Sequence, residues 1–336
     1  MPEPISIAFL LYPRVTQLDL TGPAQFLARL GNQKIDLVWK NKDPVPTDCG
    51  FSIVPTATFG DIQAADIICI PGGPGSIDVM EDEQVLAWIN AVAADAKWVT
   101  SVCTGSLILA AAGLLKGYRA TSHWAWREYL PLFGAEPVEE RIVFDRNRVT
   151  GGGVTTGIDF GLALTAAVRG DDFAKAVQLG LEYDPAPPFD SGSPEKAGAD
   201  LTAFVRARSR RESPDREPRI KAVAERMREI ATERESSPQV PRIRSLAVDR
   251  AAGQLIATMA LPVPAGSLVI TLLDSTAARG RSYRLATLPV GDPGTKLAAS
   301  IDGMGEGTYL VRVEVDGIST IPDLTNGRFT GPLVSI

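Results

Sequence analysis

The sequence predicts a doubly wound, parallel α/β sandwich over about the first 190 residues, followed by a separate all-β domain. Two observations predict the sandwich. Apolar, strand-like runs alternate with helix-like runs, and glycine-containing turns follow directly after two of the apolar runs. A third observation predicts the β domain, because short runs beyond Ser236 alternate apolar and polar residues and are separated by Gly, Pro and Asp.

The elements of the sandwich follow one another along the chain. Strands are predicted at Ile5–Leu11, Lys34–Lys40, Ala65–Ile70, Ala96–Val102, Arg119–Ser122, Ile142–Phe144 and Arg148–Thr150. Helices are predicted at Pro23–Leu30, Glu83–Ala94, Leu107–Leu115, Gly157–Val168 and Asp171–Leu181. In such folds the active site lies at the carboxyl ends of the strands, so the turns after residues 70 and 102 are the first places to search.

Composition shifts divide the chain into three parts. Residues 1–205 form the predicted α/β domain, and residues 206–238 form a charged helical segment or linker. Residues 239–336 form the predicted β-sandwich. The middle part interleaves Arg with Glu, which indicates a solvated helix face and not a nucleic-acid patch.

The overall composition excludes several classes of protein. The net charge of −6 gives no reason to expect nucleic-acid binding. No apolar run is long enough for a membrane helix, and the first residues do not resemble a signal peptide. Three irregularly spaced cysteines and one histidine argue against a disulfide framework and against a His-rich metal site. We therefore expect a cytoplasmic protein.

Cys103 is the first candidate nucleophile. It stands between a predicted strand and a predicted helix, in the sequence Val102-Cys103-Thr104-Gly105-Ser106. Such a turn lifts a nucleophile clear of the sheet, and the start of a helix lowers the pKa of a thiol. We expect a reactive thiolate, although a buried, inert cysteine is the common alternative.

Asp19 and Thr104 are the candidate partners of this thiol. Asp19 follows the first strand between Leu18 and Leu20, where it either faces a site or caps a helix. The hydroxyl of Thr104 lies beside the sulfur, or caps the following helix. A carboxyl group that exchanges protons near the thiol would complete a catalytic centre.

Other candidates line the same edge of the sheet. Gly72 and Gly73 allow a backbone N–H to approach a ligand closely, and Gly152 lies in a second glycine turn. His123 is either the base of a Cys–His pair or a structural histidine at the edge of the site. Cys69 is expected in the core, and Cys49 in a turn without chemistry.

Residues 1 to about 200 resemble the DJ-1/PfpI superfamily in three places. These are Ile68-Cys69-Ile70-Pro71-Gly72-Gly73, the turn around Cys103, and Asp19-Leu20-Thr21-Gly22-Pro23. Within the superfamily the chain is similar to the isocyanide hydratases, on the added evidence of Thr121-Ser122-His123-Trp124, Thr150-Gly151-Gly152-Gly153 and the run Leu181–Phe189. The resemblance implies a flavodoxin-like, class I glutamine amidotransferase-like fold.

The resemblance also implies a function. It implies a homodimer that hydrates an isocyanide to an N-substituted formamide without a cofactor or a metal, through a cysteine thioimidate. The implied catalytic residues are Cys103, Asp19 and Thr104. The implied substrate-binding or oxyanion residues are Gly72, Gly73, Gly152, Val154 and His123, in a mostly apolar pocket.

The chain departs from other members of the superfamily. Peptidases of the superfamily have a histidine where this chain has Thr104, and many relatives have Glu in place of Asp19. Transcription regulators of the superfamily carry a C-terminal helix-turn-helix, whereas this chain has a β-rich tail. In that tail, residues 307–317 and 327–332 resemble an Ig-like sandwich of the kind appended to phage-tail-like baseplate proteins. That tail is a candidate site for a protein partner.

Two other functions stay open on the sequence. One is a glyoxalase or deglycase that acts on carbonyl compounds such as methylglyoxal. The other is a non-catalytic sensor in which Cys103 is oxidised and the β domain binds a partner.

Overall fold

In the computed structural model, the described residues are 5–236, 243–249, 252, 254–259, 268–274, 282–286, 288–290, 296–301, 308–315, 318–319, 323–325, 328–331 and 333–335. The chain divides into two compact units. The first comprises Met1–Phe144 and Arg148–Glu225, and the second comprises Asp145–Asn147 and Arg226–Ile336. This division falls inside a helix, whereas the sequence predicts boundaries at residues 205 and 238, which stay a prediction.

The first unit contains most of the helices and the large sheet. Its strands are β1 (Ile5–Leu10), β2 (Gln33–Trp39), β3 (Val45–Pro46), β4 (Ser52–Ile53), β5 (Ala57–Thr58), β6 (Ile67–Ile70), β7 (Trp98–Val102), β8 (Arg119–Ala120), β9 (Glu136–Pro137), β10 (Ile142–Asp145) and β11 (Arg148–Gly151). Its helices are α1 (Gln17–Leu27), α2 (Ser76–Met80), α3 (Glu83–Asp95), α4 (Gly105–Ala111), α5 (Thr156–Arg169), α6 (Asp171–Gly180), α7 (Pro194–Ala197), α8 (Ala199–Glu212) and the first part of α9 (Arg216–Ser236), with a 3-10 helix at Arg127–Phe133. The residues of α9 from Arg226 onward belong to the second unit.

Seven strands form the central sheet in the order β10-β11-β7-β6-β1-β2-β5. The pairs from β11 to β5 are parallel, as predicted for a doubly wound sandwich. All four residues of β6 are buried, and so are the last four of β1. Such unbroken apolar runs are typical of strands covered by helices on both faces. The carboxyl ends of β1, β6, β7 and β11 consequently meet at one edge.

Small residues bring α1 and α5 close together at this edge. A Cβ atom on Gly161 of α5 would lie 3.0 Å from the Cα atom of Pro23, and one on Gly157 would lie 3.2 Å from the Pro23 ring. The backbone of α5 therefore packs directly on α1. This contact fixes the start of α5, which follows the glycine turn Gly151-Gly152-Gly153, against the helix that carries Asp19.

Two predicted elements differ from the structure. The first helix begins at Gln17, not near Pro23, so Pro23 lies inside it and Asp19 lies in its first turn. Residues 17–22 are compatible with a helix, and Pro lowers helix stability without always ending a helix when tertiary packing supports it. The strand predicted at Arg119–Ser122 is shortened to β8, which pairs with β9 outside the central sheet.

The start of α9 belongs to the first unit. Arg216 is 2% exposed, and its guanidinium lies 4.6 Å from the ring centre of Trp126 and donates to the Ser209 hydroxyl at 2.8 Å. One turn later, Arg219 forms ion pairs with Asp78 and Glu81, at 2.8 and 2.6 Å. These contacts attach the first turns of the charged segment to the α/β unit, so this part is not a free linker.

The second unit is built of antiparallel β-strands. The strands are β12 (Ile243–Asp249), β13 (Gln254–Met259), β14 (Leu268–Asp274), β15 (Ser282–Ala286), β16 (Leu288–Val290), β17 (Lys296–Ser300), β18 (Thr308–Val315), β19 (Ile318–Ser319), β20 (Asp323–Thr325), β21 (Arg328–Gly331) and β22 (Leu333–Ser335). One sheet has the order β12-β13-β17-β16, and another has the order β15-β14-β18-β19 with β22 also paired to β18.

The sequence predicts five strands in this unit, in the strand-like runs 243–248, 254–260, 267–273, 297–301 and 307–315. Among the described residues, β12, β13, β14, β17 and β18 lie at these places, and their pairings are antiparallel. Several residues used for the Ig-like resemblance, including Gly307, Gly317 and Gly327, lie outside the described residues, as do residues 237–242 at the predicted boundary. The Ig-like assignment stays a prediction. Within the described part of the chain, no helix combines the length and the apolar character that crossing a bilayer requires.

Candidate active site

Cys103 occupies a tight turn between β7 and α4. Its φ angle is +59°, in the left-handed region that residues with a side chain rarely adopt. Its backbone N–H points to two carbonyl oxygens of the glycine turn, at 3.0 Å from Gly151 and 2.8 Å from Gly152. Gly105 makes the close approach possible, because a Cβ atom there would lie 2.0 Å from the Ile70 oxygen. The predicted turn is confirmed, and it is pinned to the ends of β6 and β11.

Asp19 faces this turn from the first turn of α1. The residue is 1% exposed, and its Oδ2 atom accepts a hydrogen bond from the Gly72 N–H at 2.9 Å. Its Oδ1 atom is buried and has no hydrogen-bond partner among the described residues. The carboxyl of Asp19 and the thiol of Cys103 lie near enough to shift one another's pKa. The structure therefore brings together the two groups that the sequence singles out.

Thr104 completes the group. Its Oγ1 atom accepts a hydrogen bond from the Gly73 N–H at 2.9 Å, and its side chain makes no cap to the following helix. A Cβ atom on Gly72 would lie 2.5 Å from the Thr104 nitrogen and 2.9 Å from Asp19 Oδ2. The Gly72-Gly73 turn thus fits between Asp19 and Thr104, and its two N–H groups are engaged by these side chains instead of facing an open position.

Burial governs the protonation of Asp19. It raises the pKa of this carboxyl to about 8, although the hydrogen bond from the Gly72 N–H and the interaction with the Cys103 thiol lower it in part. A carboxyl in a dehydrated site favours its neutral form because the charged form loses its hydration. Asp19 is therefore able to hold a proton in the neutral pH range and to release it under slightly basic conditions.

The expectation of a thiolate at neutral pH is wrong for Cys103 in this structure. Burial raises the pKa of its thiol well above the ordinary value, and the charge of Asp19 raises it further. The backbone N–H and the hydroxyl of Thr104 oppose this rise without cancelling it. With the residue 5% exposed, the loss of hydration outweighs the favourable position at the start of a helix.

His123 and Val154 lie on the loops beside the glycine turn. The His123 ring stacks on Trp124 and would touch a Cβ atom on Gly153 at 3.1 Å. Burial, with a smaller contribution from Arg216, lowers the pKa of His123 to about 4, so the ring is neutral. Its Nδ1 atom accepts the Ala125 N–H at 3.2 Å. These contacts match a histidine at the edge of the site more closely than the base of a Cys–His pair.

The remaining predicted positions have structural partners. The Gly152 N–H donates to the Arg141 carbonyl at 2.9 Å, and Val154 is half-buried in the turn before α5. Cys69 is buried in β6, where burial raises the pKa of its thiol to about 12, and Cys49 is exposed. Among the described residues, no group of three or more His, Cys, Asp or Glu side chains could hold a metal ion.

Sequence reasoning missed two features of the site. Tyr12 is fully buried, and its hydroxyl donates to the Pro71 carbonyl at 3.0 Å, immediately before the Gly72-Gly73 turn. Ser106 and Ser122 both place their hydroxyls near the Cys103 carbonyl. An aromatic residue directly after a buried strand was the available signal for Tyr12. No pattern in the sequence distinguishes the two serines from others in turns.

Comparisons with known proteins agree with this geometry. The family model described as the DJ-1/PfpI family matches residues 5–167, and a domain of unknown function (DUF8756) matches residues 238–335. The chain is 54% identical to isonitrile hydratase of Pseudomonas putida over 205 residues, which cover 61% of this chain and 90% of that protein.

Two further relatives resemble the α/β unit. A ThiJ/PfpI family protein from Pseudomonas syringae matches with a TM-score of 0.62 and 46% identity, over 66% of this chain and 91% of that one. The HTH-type transcriptional regulator GbdR of Pseudomonas aeruginosa is 30% identical over 54% of this chain, but only 52% of the regulator is covered. On the combined evidence of the cysteine turn, the buried carboxyl and these relatives, the chain belongs to the DJ-1/PfpI family.

Proposed function

We propose that this protein hydrates isocyanides to N-substituted formamides, with Cys103 as nucleophile and Asp19 as the group that moves protons. The observation that carries the proposal is the buried pair of thiol and carboxyl, supported on both sides by Thr104 and Gly72. The identity of 54% to an isonitrile hydratase over nine-tenths of that enzyme supports the same substrate class.

The first chemical step joins sulfur to carbon. In the form of the pair that holds one proton, the Cys103 thiolate attacks the terminal carbon of the isocyanide as this carbon receives that proton from Asp19, which becomes a carboxylate. The S–C bond forms, one C–N π bond breaks, and the product is a thioimidate in which the carbon carries one hydrogen. Neither oxidant nor reductant is needed, because the net change is addition of S–H across the carbon.

The second step releases the product. Asp19, now a carboxylate, accepts a proton from water as the water oxygen attacks the thioimidate carbon, and it passes this proton to the nitrogen as the C–N π bond breaks. The tetrahedral intermediate then expels the Cys103 sulfur as a thiolate while its hydroxyl gives its proton to Asp19, and the formamide leaves. The sum is one water added to one isocyanide, so the enzyme returns to its starting state.

The other predicted residues have supporting roles in this proposal. Gly72 and Gly73 hold the Asp19 carboxyl and the Thr104 hydroxyl in place through their N–H groups. Gly152 accepts the Cys103 N–H and so fixes the turn. Val154 and the neutral ring of His123 supply apolar surface for the substituent on the isocyanide nitrogen, which carries no net charge.

The pH dependence of the reaction follows from the pair. Below the Asp19 pKa of about 8 both groups hold a proton, and no thiolate is available. Loss of one proton leaves a single proton on the pair, and the reactive form is the one in which this proton lies on Asp19 and the Cys103 sulfur is a thiolate. We expect kcat/KM for a neutral isocyanide to rise about tenfold per pH unit below this pKa and to level off above it. A kcat/KM that stays constant or falls between pH 6 and 8 would contradict this protonation scheme.

The assay that tests the function compares two substrate classes. The purified protein, with both of its units, is mixed with cyclohexyl isocyanide, and N-cyclohexylformamide is quantified by chromatography. A parallel reaction with methylglyoxal measures carbonyl consumption. We expect formamide formation with turnover of many substrate molecules per protein. Turnover of methylglyoxal alone would favour a glyoxalase or deglycase, and absence of both activities would favour a redox sensor.

Three further proposals concern the oligomeric state, the cellular location and the C-terminal unit. The enzyme forms a homodimer through its α/β unit, which exposes the large apolar side chains Leu179, Phe189 and Phe204. It resides in the cytoplasm, in agreement with three free cysteines. The C-terminal unit is an Ig-like domain that binds a protein partner and takes no part in catalysis.

A further inference from the structure

The backbone of Cys103 needs support from its surroundings. A residue with a side chain seldom keeps a φ angle of +59° unless neighbouring groups determine its conformation. The peptide on the amino side of Cys103 is held by its N–H, which points to the Gly151 and Gly152 carbonyls. The peptide on the carboxyl side presents its oxygen to two buried serine hydroxyls, at 2.8 Å from Ser122 Oγ and 3.3 Å from Ser106 Oγ.

The proton inventory distinguishes these two hydroxyls. A serine hydroxyl has one proton to donate. Ser106 Oγ lies 2.6 Å from the Thr121 carbonyl, which is its shortest contact, and 3.0 Å from Ser101 Oγ, which is able to donate to it. Ser106 therefore commits its proton to Thr121. The hydroxyl left to donate to the Cys103 carbonyl is that of Ser122, which is 1% exposed.

We propose that Ser122 is a positioning residue for the nucleophile, which holds the Cys103 peptide in its left-handed conformation and so aims the sulfur at the substrate. Ser122 touches the backbone of Cys103 and not the reacting atoms, so it acts through Cys103. It lies on the loop after β8, outside the central sheet, directly before His123. The inference rests on the proposed role of Cys103 as nucleophile.

The first test measures the thiol without any isocyanide. Ser122→Ala is compared with wild type by following iodoacetamide alkylation of the peptide that contains Cys103, by mass spectrometry. We expect the alkylation rate constant to fall about tenfold, as loss of one net hydrogen bond allows. With cyclohexyl isocyanide, we expect kcat to fall by about the same factor while KM changes less than about twofold.

Two matched variants separate positioning from general stability. Ser76 is 1% exposed, and its hydroxyl has no hydrogen-bond partner among the described residues, so Ser76→Ala removes a buried hydroxyl of no consequence for Cys103. Ser106→Ala removes the other hydroxyl near the Cys103 carbonyl. Both variants are expected to alkylate at the wild-type rate within about twofold, whatever their thermal stability, since neither supplies the donated bond.

The alkylation results test the role of Ser122 independently of the proposed isocyanide hydration. The proposal would be overturned if Cys103 were alkylated as fast in Ser122→Ala as in Ser76→Ala. It would also be overturned if Ser106→Ala lowered the rate of Cys103 alkylation as much as Ser122→Ala does. Ser122→Thr keeps the hydroxyl and covers the case in which Ser122→Ala does not fold. Alkylation within about threefold of wild type supports the donor role, and a tenfold loss in that variant counts against it. If wild type forms no formamide, the proposed function fails while the alkylation contrast still tests Ser122.

Discussion

Replacing Cys103 by alanine is expected to reduce formamide formation by at least about ten-thousand-fold, because no other group in the site can form the covalent bond to carbon. The fold should survive, since alanine and cysteine meet the same backbone strain at φ +59° and the removed atom is a single sulfur. Cys103→Ala therefore tests chemistry with little change in structure. Circular dichroism and thermal unfolding establish that the variant is folded, and product analysis gives the rate.

The chain offers matched controls for this substitution. Cys69 is also buried, 3% exposed, but it lies inside β6, where its sulfur accepts a hydrogen bond from the Thr100 hydroxyl. Cys69→Ala is expected to lower stability modestly and to keep the activity within about threefold. Cys49→Ala removes the exposed cysteine and should be neutral. If Cys69→Ala lost activity while Cys103→Ala kept it, the nucleophile would be Cys69 and not Cys103.

Replacing Asp19 by asparagine is expected to lower kcat by about 10²- to 10⁴-fold, which is the usual contribution of a general acid and base. Asparagine keeps the size of the side chain, and its amide oxygen is able to accept the Gly72 N–H as Oδ2 does. The variant cannot give a proton to the isocyanide carbon or take one from water. An exposed carboxyl such as that of Asp43 provides the matched control, and Asp43→Asn should keep wild-type kcat.

Asp19→Asn is expected to lower kcat but to raise the stability of the fold. The Asp19 pKa is about 8 in the folded protein against 3.8 for the free side chain, so the folded state binds the proton more tightly. Its contribution to stability is present below about pH 4 and is lost as the pH rises to 8. We expect Asp19→Asn to exceed wild type in free energy of unfolding by about 1–3 kcal/mol at pH 8, with a smaller difference at pH 5. Equal stabilities at both pH values would contradict the raised pKa.

Much of the α/β unit could be predicted from its sequence because its physical signals are local. Buried parallel strands are uninterrupted apolar runs, and β6 and β7 both end at turns that require glycine at Gly72 and Gly105. The position of Cys103 between β7 and α4 follows from the same signals. The C-terminal strands could be found from alternating residues, but alternation does not determine how sheets pack, and an Ig-like topology stays a prediction.

Features that depend on tertiary contacts could not be predicted. The first helix extends before Pro23 because α5 packs against it through Gly157 and Gly161, which outweighs the local effect of proline. The thiol pKa of Cys103 depends on how much water the folded site retains, and the sequence gives only the helix start. The hydrogen bond from Ser122 joins residues 19 positions apart, across two elements.

The covalent intermediate on Cys103 is the most direct test of the account. Wild-type protein is mixed with excess cyclohexyl isocyanide, denatured within milliseconds to seconds, and analysed by mass spectrometry as intact protein and as peptides. We expect a species heavier by one substrate molecule, with the added mass confined to the Cys103 peptide and absent from Cys103→Ala. Formamide produced at the wild-type rate by Cys103→Ala, or an adduct confined to another residue, would contradict the proposal that the sulfur of Cys103 attacks the isocyanide carbon.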